Sequence, residues 1–228
     1  MKTNKVAIFD IDGTIFRSSL LIEFNKGLVR AGVLPQKSTV EILDAYEAWV
    51  ERRGSYDDYI SQVVAMHARY IRGTEQRYVA AVADLVFLRH RNRVYRYTRD
   101  LVHRLAPTHS LLAISGSPAE MVQPFGHYFG FDKTWGTVYE VDTAGRYTGQ
   151  VLDRRSVDDK EKILREYLAE AGLSLDDSWG VGDTETDVSF LSVVTHPIAF
   201  NPTSGLREQA KSHSWPVIVE RKDVIYEI

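Results

Sequence analysis

The stretch Val6–Ile15, VAIFDIDGTI, decides the fold. Val6, Ala7, Ile8 and Phe9 form an unbroken apolar run rich in strand formers, which suits a strand buried on both faces of a parallel sheet. Asp10 and Asp12 end that run, and Gly13 and Thr14 follow. A strand interior does not tolerate two carboxylates, whereas open α/β sheets bind ligands just beyond the carboxyl ends of their strands. The strand therefore delivers paired acids, a permissive glycine and a hydroxyl to one sheet edge. Asp-Gly is also common turn chemistry, so the reading needs support from elsewhere in the chain.

Composition narrows the class. The 228 residues suffice for one sizeable core, or for a core with a smaller appendage. A net charge of −3 carries no electrostatic footprint for nucleic acid, so nucleic acid is not expected as a partner. The absence of cysteine removes disulfides, thiolate metal sites and a cysteine nucleophile. No stretch reaches the roughly 20 apolar residues of a membrane span, and Asp10 and Asp12 interrupt the N-terminal apolar run too early for a signal peptide. The expected location is cytoplasmic, with no membrane contact.

Beyond Ile15 the period becomes helical. Residues 16–31, 38–53, 56–72 and 74–89 show apolar residues at helical spacing, punctuated by Gly32, Pro35, Gly54 and Gly73. This predicts a small all-helical domain over 16–90, inserted into a core built from 1–15 and 91–228. A helix over 94–105 leads to the candidate strand Ser110–Ile114, and then to Ser115, Gly116, Ser117, Pro118 and Glu120. Ser117 with Glu120 fits a capping box, and Pro118 suits a first helical turn. A hairpin is expected over 135–152, a helix from near Ser156 to Gly172, and strands over 178–181, 193–200 and 217–220. A helix over 203–211 lies between the last two. Alternating strands and helices predict an α/β, Rossmann-like, doubly wound parallel sheet.

Three core strands thus end in polar clusters, at Asp10–Thr14, Ser115–Ser117 and Asp183–Asp187, and parallel strands bring such ends to one edge. Converging carboxylates repel, by roughly 4 kcal/mol for one pair at about 4 Å and an effective dielectric near 20. A cation is needed, and oxygen-only ligands favour Mg²⁺ over zinc. The seven histidines are scattered and none is assigned as a ligand. Asp10 is the candidate nucleophile, since a carboxylate is ionised at neutral pH without a base. Asp12 is the candidate acid/base. Ser115 and Gly116 precede a helix N-terminus, where a phosphate is favoured. Lys160 is the cation expected to meet that phosphate, with Lys162 as its competitor. Asp183 directly follows an apolar strand where a metal ligand is wanted. Asp187 is either a ligand beside it or the capping partner of Thr184.

DIDGT at 10–14, the apolar run ending in Ser115, Lys160, and GDTETD at 182–187 resemble, in order, the four motifs of the haloacid dehalogenase superfamily. The helical segment after Ile15 looks like the cap of its phosphoserine phosphatase-like branch. The resemblance implies Asp10 as nucleophile and Asp12 as acid/base. It implies Mg²⁺ held by the Asp10 side chain, the Asp12 backbone carbonyl and Asp183, with Asp187 one layer behind. Ser115 and Lys160 would bind phosphoryl oxygens. Two departures stand out. Ser19 occupies the place of the glutamate that recognises the amino group of phosphoserine, and Thr184, Glu185 and Thr186 replace the usual glycine, small residue and asparagine.

The expectation is a Mg²⁺-dependent phosphomonoesterase acting on a small phosphorylated metabolite through an aspartyl-phosphate, with phosphoserine disfavoured. A phosphotransferase of the same fold and a non-catalytic module binding a phospho-ligand or a partner protein are the alternatives. Substrate choice should lie in the helical segment, which carries Arg17, Arg52, Arg53, Tyr56, Tyr59, Arg69 and Arg72. Most such residues belong to solvated faces, and none is assigned to the site.

Overall fold

The computed structural model of the protein describes residues 4–228. In chain order, β1 (Lys5–Asp10) is followed by α1 (Leu20–Arg30), α2 (Lys37–Val40), α3 (Leu43–Val50), α4 (Tyr56–Ile71), α5 (Gln76–His90) and α6 (Arg96–Leu105). Then come β2 (His109–Pro118), α7 (Ala119–Tyr128), β3 (Lys133–Val141), β4 (Tyr147–Asp153), α8 (Arg155–Asp158) and α9 (Lys160–Ala171). The chain closes with β5 (Ser174–Gly182), α10 (Val188–Leu191), β6 (His196–Phe200), α11 (Ser204–His213), β7 (Val217–Arg221) and β8 (Val224–Glu227).

Among the described residues the strands form one sheet in the order β4-β3-β2-β1-β5-β6-β7-β8. The six strands from β3 to β7 pair in parallel, and β4 and β8 add antiparallel edges. β1 lies centrally, between β2 and β5, as its unbroken apolar run requires. The period of two sorts its residues: Ala7 and Phe9 join a cluster with Leu111, Ala113 and Phe125, whereas Val6 and Ile8 join Leu112, Ile114, Ile163 and Phe190. Helices α6 and α7 cover the first face and α9, α10 and α11 the second. Asp10 pairs with Ile114 and Phe9 with Val181, so the residues after all three strands meet at one edge.

The helical region has two centres. Leu20, Phe24 and Leu28 of α1, with Val79 and Val82 of α5, continue the first core cluster outward. Tyr59, Val63 and Met66 of α4 pack instead with Leu21 and Ala45. No described helix is long and apolar enough to cross a membrane.

Several boundaries differ from the sequence reading. The first helix begins at Leu20, because the Ser19 side chain caps it by accepting from the Ile22 N–H (3.4 Å). The segment over 38–53 splits into α2 and α3. The helix expected from Ser156 breaks at Asp159, whose carboxylate accepts from the Lys162 N–H (3.0 Å) and restarts the helix at Lys160. It ends as expected at Gly172, which adopts φ 64°. The strand over 193–200 starts only at His196, and β8 was not anticipated. The Ser117–Glu120 capping box does not form. Ser117 lies within β2, Pro118 is the N-cap with no side-chain bond, and Glu120 accepts from the Tyr147 hydroxyl (2.5 Å).

Candidate active site

At the end of β1, Asp10 is only 5% exposed. Lys160 reaches it from the first turn of α9, donating to Asp10 Oδ1 (2.6 Å) and to Asp187 Oδ1 (2.6 Å). It is 3% exposed, whereas its competitor Lys162 is exposed. The second oxygen of Asp10, Oδ2, is buried and has no hydrogen-bond partner among the described residues. Burial raises the Asp10 pKa well above the carboxylate range; Lys160 opposes this, while the charges of Asp187 and Asp12 add to it. Burial also disfavours the Lys160 ammonium, but the charges and hydrogen bonds of Asp10 and Asp187 outweigh it and hold the lysine above its ordinary pKa.

Asp187 is wholly buried and fully used. Its Oδ1 receives Lys160, and its Oδ2 accepts the N–H groups of Asp183 (2.9 Å) and Thr184 (3.0 Å). With the Thr184 side chain it completes the capping box anticipated from sequence, around the 3₁₀ turn Glu185–Asp187. The capping reading of Asp187 holds, and its other oxygen anchors Lys160.

Asp183 follows β5 and accepts from the Thr14 hydroxyl (3.2 Å). Gly13, at φ 79°, passes so close that a Cβ there would sit 2.0 Å from Asp183 Oδ2. Only glycine meets both demands, which explains the glycine after Asp12. Asp183 is also raised well above the carboxylate range, by burial first and then by Asp10 and Asp187, against Lys160 and Thr14.

Asp12 points toward β2. Its Oδ1 accepts the Leu20 N–H, and its Oδ2 accepts from Ser115 Oγ (2.5 Å) and Ser117 Oγ (2.7 Å). Burial raises its pKa despite these bonds and the nearby Lys160 charge. Ser115 Oγ also accepts from the Ser117 N–H (2.9 Å), so its hydroxyl is committed to Asp12 and its own loop. Ser117 Oγ accepts from the Leu21 N–H (2.9 Å) as well as donating to Asp12. The sequence reading missed this role. The spacing to Glu120 suggested a cap, whereas the actual partners lie about a hundred residues away.

A cavity of ≈770 Å³ opens over these groups. Asp10, Asp12, Gly116, Ser117, Lys160 and Asp183 line its inner end, and residues of α4, β3 and β4, with others from α1, α8 and the turn Thr184–Thr186, line the rest. Of the arginines and tyrosines noted in the helical segment, Tyr56 lines the cavity. Its phenol is pushed up by burial and then by the charges of Asp12 and Asp183. The others are engaged elsewhere or exposed: Tyr59 stacks on Trp49, Arg17 lies over Tyr95, Arg53 pairs with Glu51 and Arg69 with Glu41.

A parallel α/β sheet whose central strand ends offer a buried carboxylate, a paired lysine and further acids places this chain in the α/β class with its site at the carboxyl edge of the sheet. Residues 7–192 match the haloacid dehalogenase-like hydrolase family, and the chain belongs to it. It is 27% identical over 228 residues to a histidinol-phosphatase of Neisseria meningitidis, covering 93% of this chain and 97% of that protein. It is 28% identical over 216 residues to a protein of Streptomyces azureus named for inhibition of morphological differentiation, covering 93% and 77%. A crystal structure of a protein of unknown function from Bordetella pertussis superposes with a TM-score of 0.73 at 26% identity, covering 95% of this chain and 98% of that one.

Proposed function

We propose that the protein is a phosphomonoesterase that hydrolyses a small phosphorylated metabolite through Asp10. The observation that carries this reading is the Asp10 carboxylate itself. One oxygen is fixed by Lys160, and the other is buried without a partner beside a cavity large enough for a metabolite. The neighbouring Asp187, by contrast, has both oxygens satisfied.

In the first step an oxygen of the Asp10 carboxylate attacks phosphorus, and the bond from phosphorus to the ester oxygen breaks. Asp12, whose raised pKa lets it carry a proton, gives that proton to the leaving alcohol. Asp12 then takes a proton from water, whose oxygen displaces Asp10 from phosphorus and releases inorganic phosphate. Lys160 has three ammonium hydrogens and spends two on Asp10 and Asp187, leaving one for a phosphoryl oxygen. Gly116 lines the same end of the cavity, and Ser115 and Ser117 orient Asp12.

The donor set fits Mg²⁺. Among the described residues no three His, Cys, Asp or Glu side chains form a ready metal cage, and this reading does not require one. The Asp10 and Asp183 side chains and the Asp12 backbone carbonyl would hold the ion, with Asp187 behind them. These are hard oxygen donors, and both carboxyls resist ionisation without a further cation. When bound, Mg²⁺ supplies the positive charge that lets two acids and a phosphate share one site.

Residues 16–90 are read as a cap domain over a core of 1–15 and 91–228, because α4 roofs a cavity whose floor the strand ends supply. The name of the Neisseria relative supports a phosphorylated small molecule as substrate. Ser19, which caps α1 and brings no charge, disfavours phosphoserine. The test is phosphate release from p-nitrophenyl phosphate with Mg²⁺. Turnover is expected in the wild type and absent in Asp10→Asn, and unchanged turnover in the variant would sink the assignment.

A further inference from the structure

The cavity extends well beyond the carboxylates; Ser61, Thr184 and Thr186 line it with the acids Asp57 and Glu185, and an apolar strip runs between α4 and the β3–β4 hairpin. Tyr56, Ile60 and Val64 follow one another at four-residue spacing along α4, and all three line it. Tyr139 of β3 and Val151 of β4 line the facing side. Val64 is 42% exposed and Val151 39%, so the two sides of the corridor leave apolar side chains uncovered beside the candidate nucleophile.

Charge along this corridor is spent or peripheral. Arg154 is paired with Asp158 (2.7 Å). Ser19 is neutral and engaged at the α1 cap. Asp57 and Glu185 are the outer acids; both are exposed, and Glu185 accepts from the Thr203 hydroxyl (2.9 Å). Asp57 is raised by burial and then by Glu185, a pair that repels an anion entering between them. A second carboxylate or phosphate on the leaving group would meet no unpaired cation among the described lining residues.

We infer that the α4 face of Tyr56, Ile60 and Val64 is the leaving-group subsite, and that the substrate is the phosphate monoester of an uncharged, apolar alcohol. The phosphoryl group sits at Asp10 and the alcohol lies along the corridor against Tyr139 and Val151. This inference rests on the phosphatase reading and adds the chemistry of the leaving group. Apolar area removed from water drives such binding, and each methylene gripped by a pocket sharpens selectivity.

Ethyl phosphate, n-hexyl phosphate and O-phosphoethanolamine share a primary alkyl leaving group, so their comparison isolates the subsite from leaving-group chemistry. The expected result is a kcat/KM for hexyl phosphate at least about tenfold above that for ethyl phosphate, with phosphoethanolamine no better than ethyl. Val64→Asp should collapse the hexyl-to-ethyl ratio toward unity through KM. Val151→Asp, on the opposite side and on a strand, should do the same if the helical variant folds poorly. Equal rates for hexyl and ethyl phosphate would overturn the inference. A preference for phosphoethanolamine would also overturn it, by assigning the outer acids to an ammonium. Failure of the wild type to release phosphate even from p-nitrophenyl phosphate would instead remove the phosphatase reading, and this inference with it.

Discussion

Replacing Lys160 with methionine removes the ammonium while keeping an unbranched stem of similar length. The lysine is almost wholly buried and bonds two carboxylates at 2.6 Å each, so its loss strands Asp10 and the Oδ1 of Asp187. Removing one partner from a buried ion pair costs about 3–5 kcal/mol, and a cation serving two acids places the expected loss in the upper half of that range. The sign of the pH dependence follows from Asp10. Its folded pKa is already raised, so the folded state binds a proton more readily than the unfolded chain, and losing Lys160 raises it further. The deficit should therefore be largest at pH 8 and shrink on acidification, as Asp10 escapes its unpaired charge by protonation. Urea denaturation of both proteins in EDTA at pH 8 and pH 5 reads this directly. The expected deficit is about 4 kcal/mol at pH 8, and it should fall by at least ~1.4 kcal/mol at pH 5, the equivalent of one proton over one pH unit. A deficit below about 1 kcal/mol, or one that ignores pH, would mean that Lys160 behaves as a surface lysine and would refute the reasoning.

Further outcomes follow from the same geometry. Asp12→Asn should lower kcat for an alkyl phosphate about 10²–10⁴-fold, and p-nitrophenyl phosphate by much less because its leaving group needs no proton; equal losses would deny Asp12 the acid role. Gly13→Ala forces a side chain to φ 79° and a Cβ to 2.0 Å from Asp183 Oδ2. It should cost about 1–3 kcal/mol in a chemical melt and raise the Mg²⁺ concentration needed for half-maximal rate. Ser117→Ala removes the donor to Asp12 and the acceptor for Leu21 N–H, so stability should drop by about 1–3 kcal/mol. The alkaline limb of the kcat profile should move upward, because a hydrogen bond that lowers the Asp12 pKa is lost. In EDTA the wild type should melt at a higher temperature at pH 5.5 than at pH 8. The raised carboxyls of Asp10 and Asp183 contribute stability present in full below their unfolded values, and that contribution is lost as pH rises through their folded ones. Added Mg²⁺ should narrow the gap, and a flat profile would contradict the shifts.

The parts of the site legible in sequence are those set by local chemistry. An apolar run that stops at two acids reads as a central strand with its end at a site, because no other placement satisfies those residues, and β1 lies between β2 and β5 accordingly. Gly13 and Asp183 share one strand-end logic, and Lys160 stands in the first turn of a helix, where the dipole disfavours a cation. Ser117 was hidden because its partners, Asp12 and Leu21, arrive only through the pairing of β1 with β2. Its spacing to Glu120 offered a local explanation that tertiary structure overrode. Tyr56 was indistinguishable from Tyr59 by composition. Only the direction of α4 turns one toward the cavity and the other onto Trp49. The break at Asp159 went unseen because periodicity runs through it, although the restart is what aims Lys160 at Asp10.

The proposed function stands on covalent phosphorylation of Asp10 during turnover. Acid quenching of the wild type during steady-state hydrolysis of p-nitrophenyl phosphate with Mg²⁺, followed by peptide mass analysis, addresses it most directly. One added phosphoryl group is expected on the peptide that carries Asp10, lost on treatment with hydroxylamine and absent from Asp10→Asn. Phosphate release that continues in Asp10→Asn, or a phosphoryl group found on another residue, would contradict it.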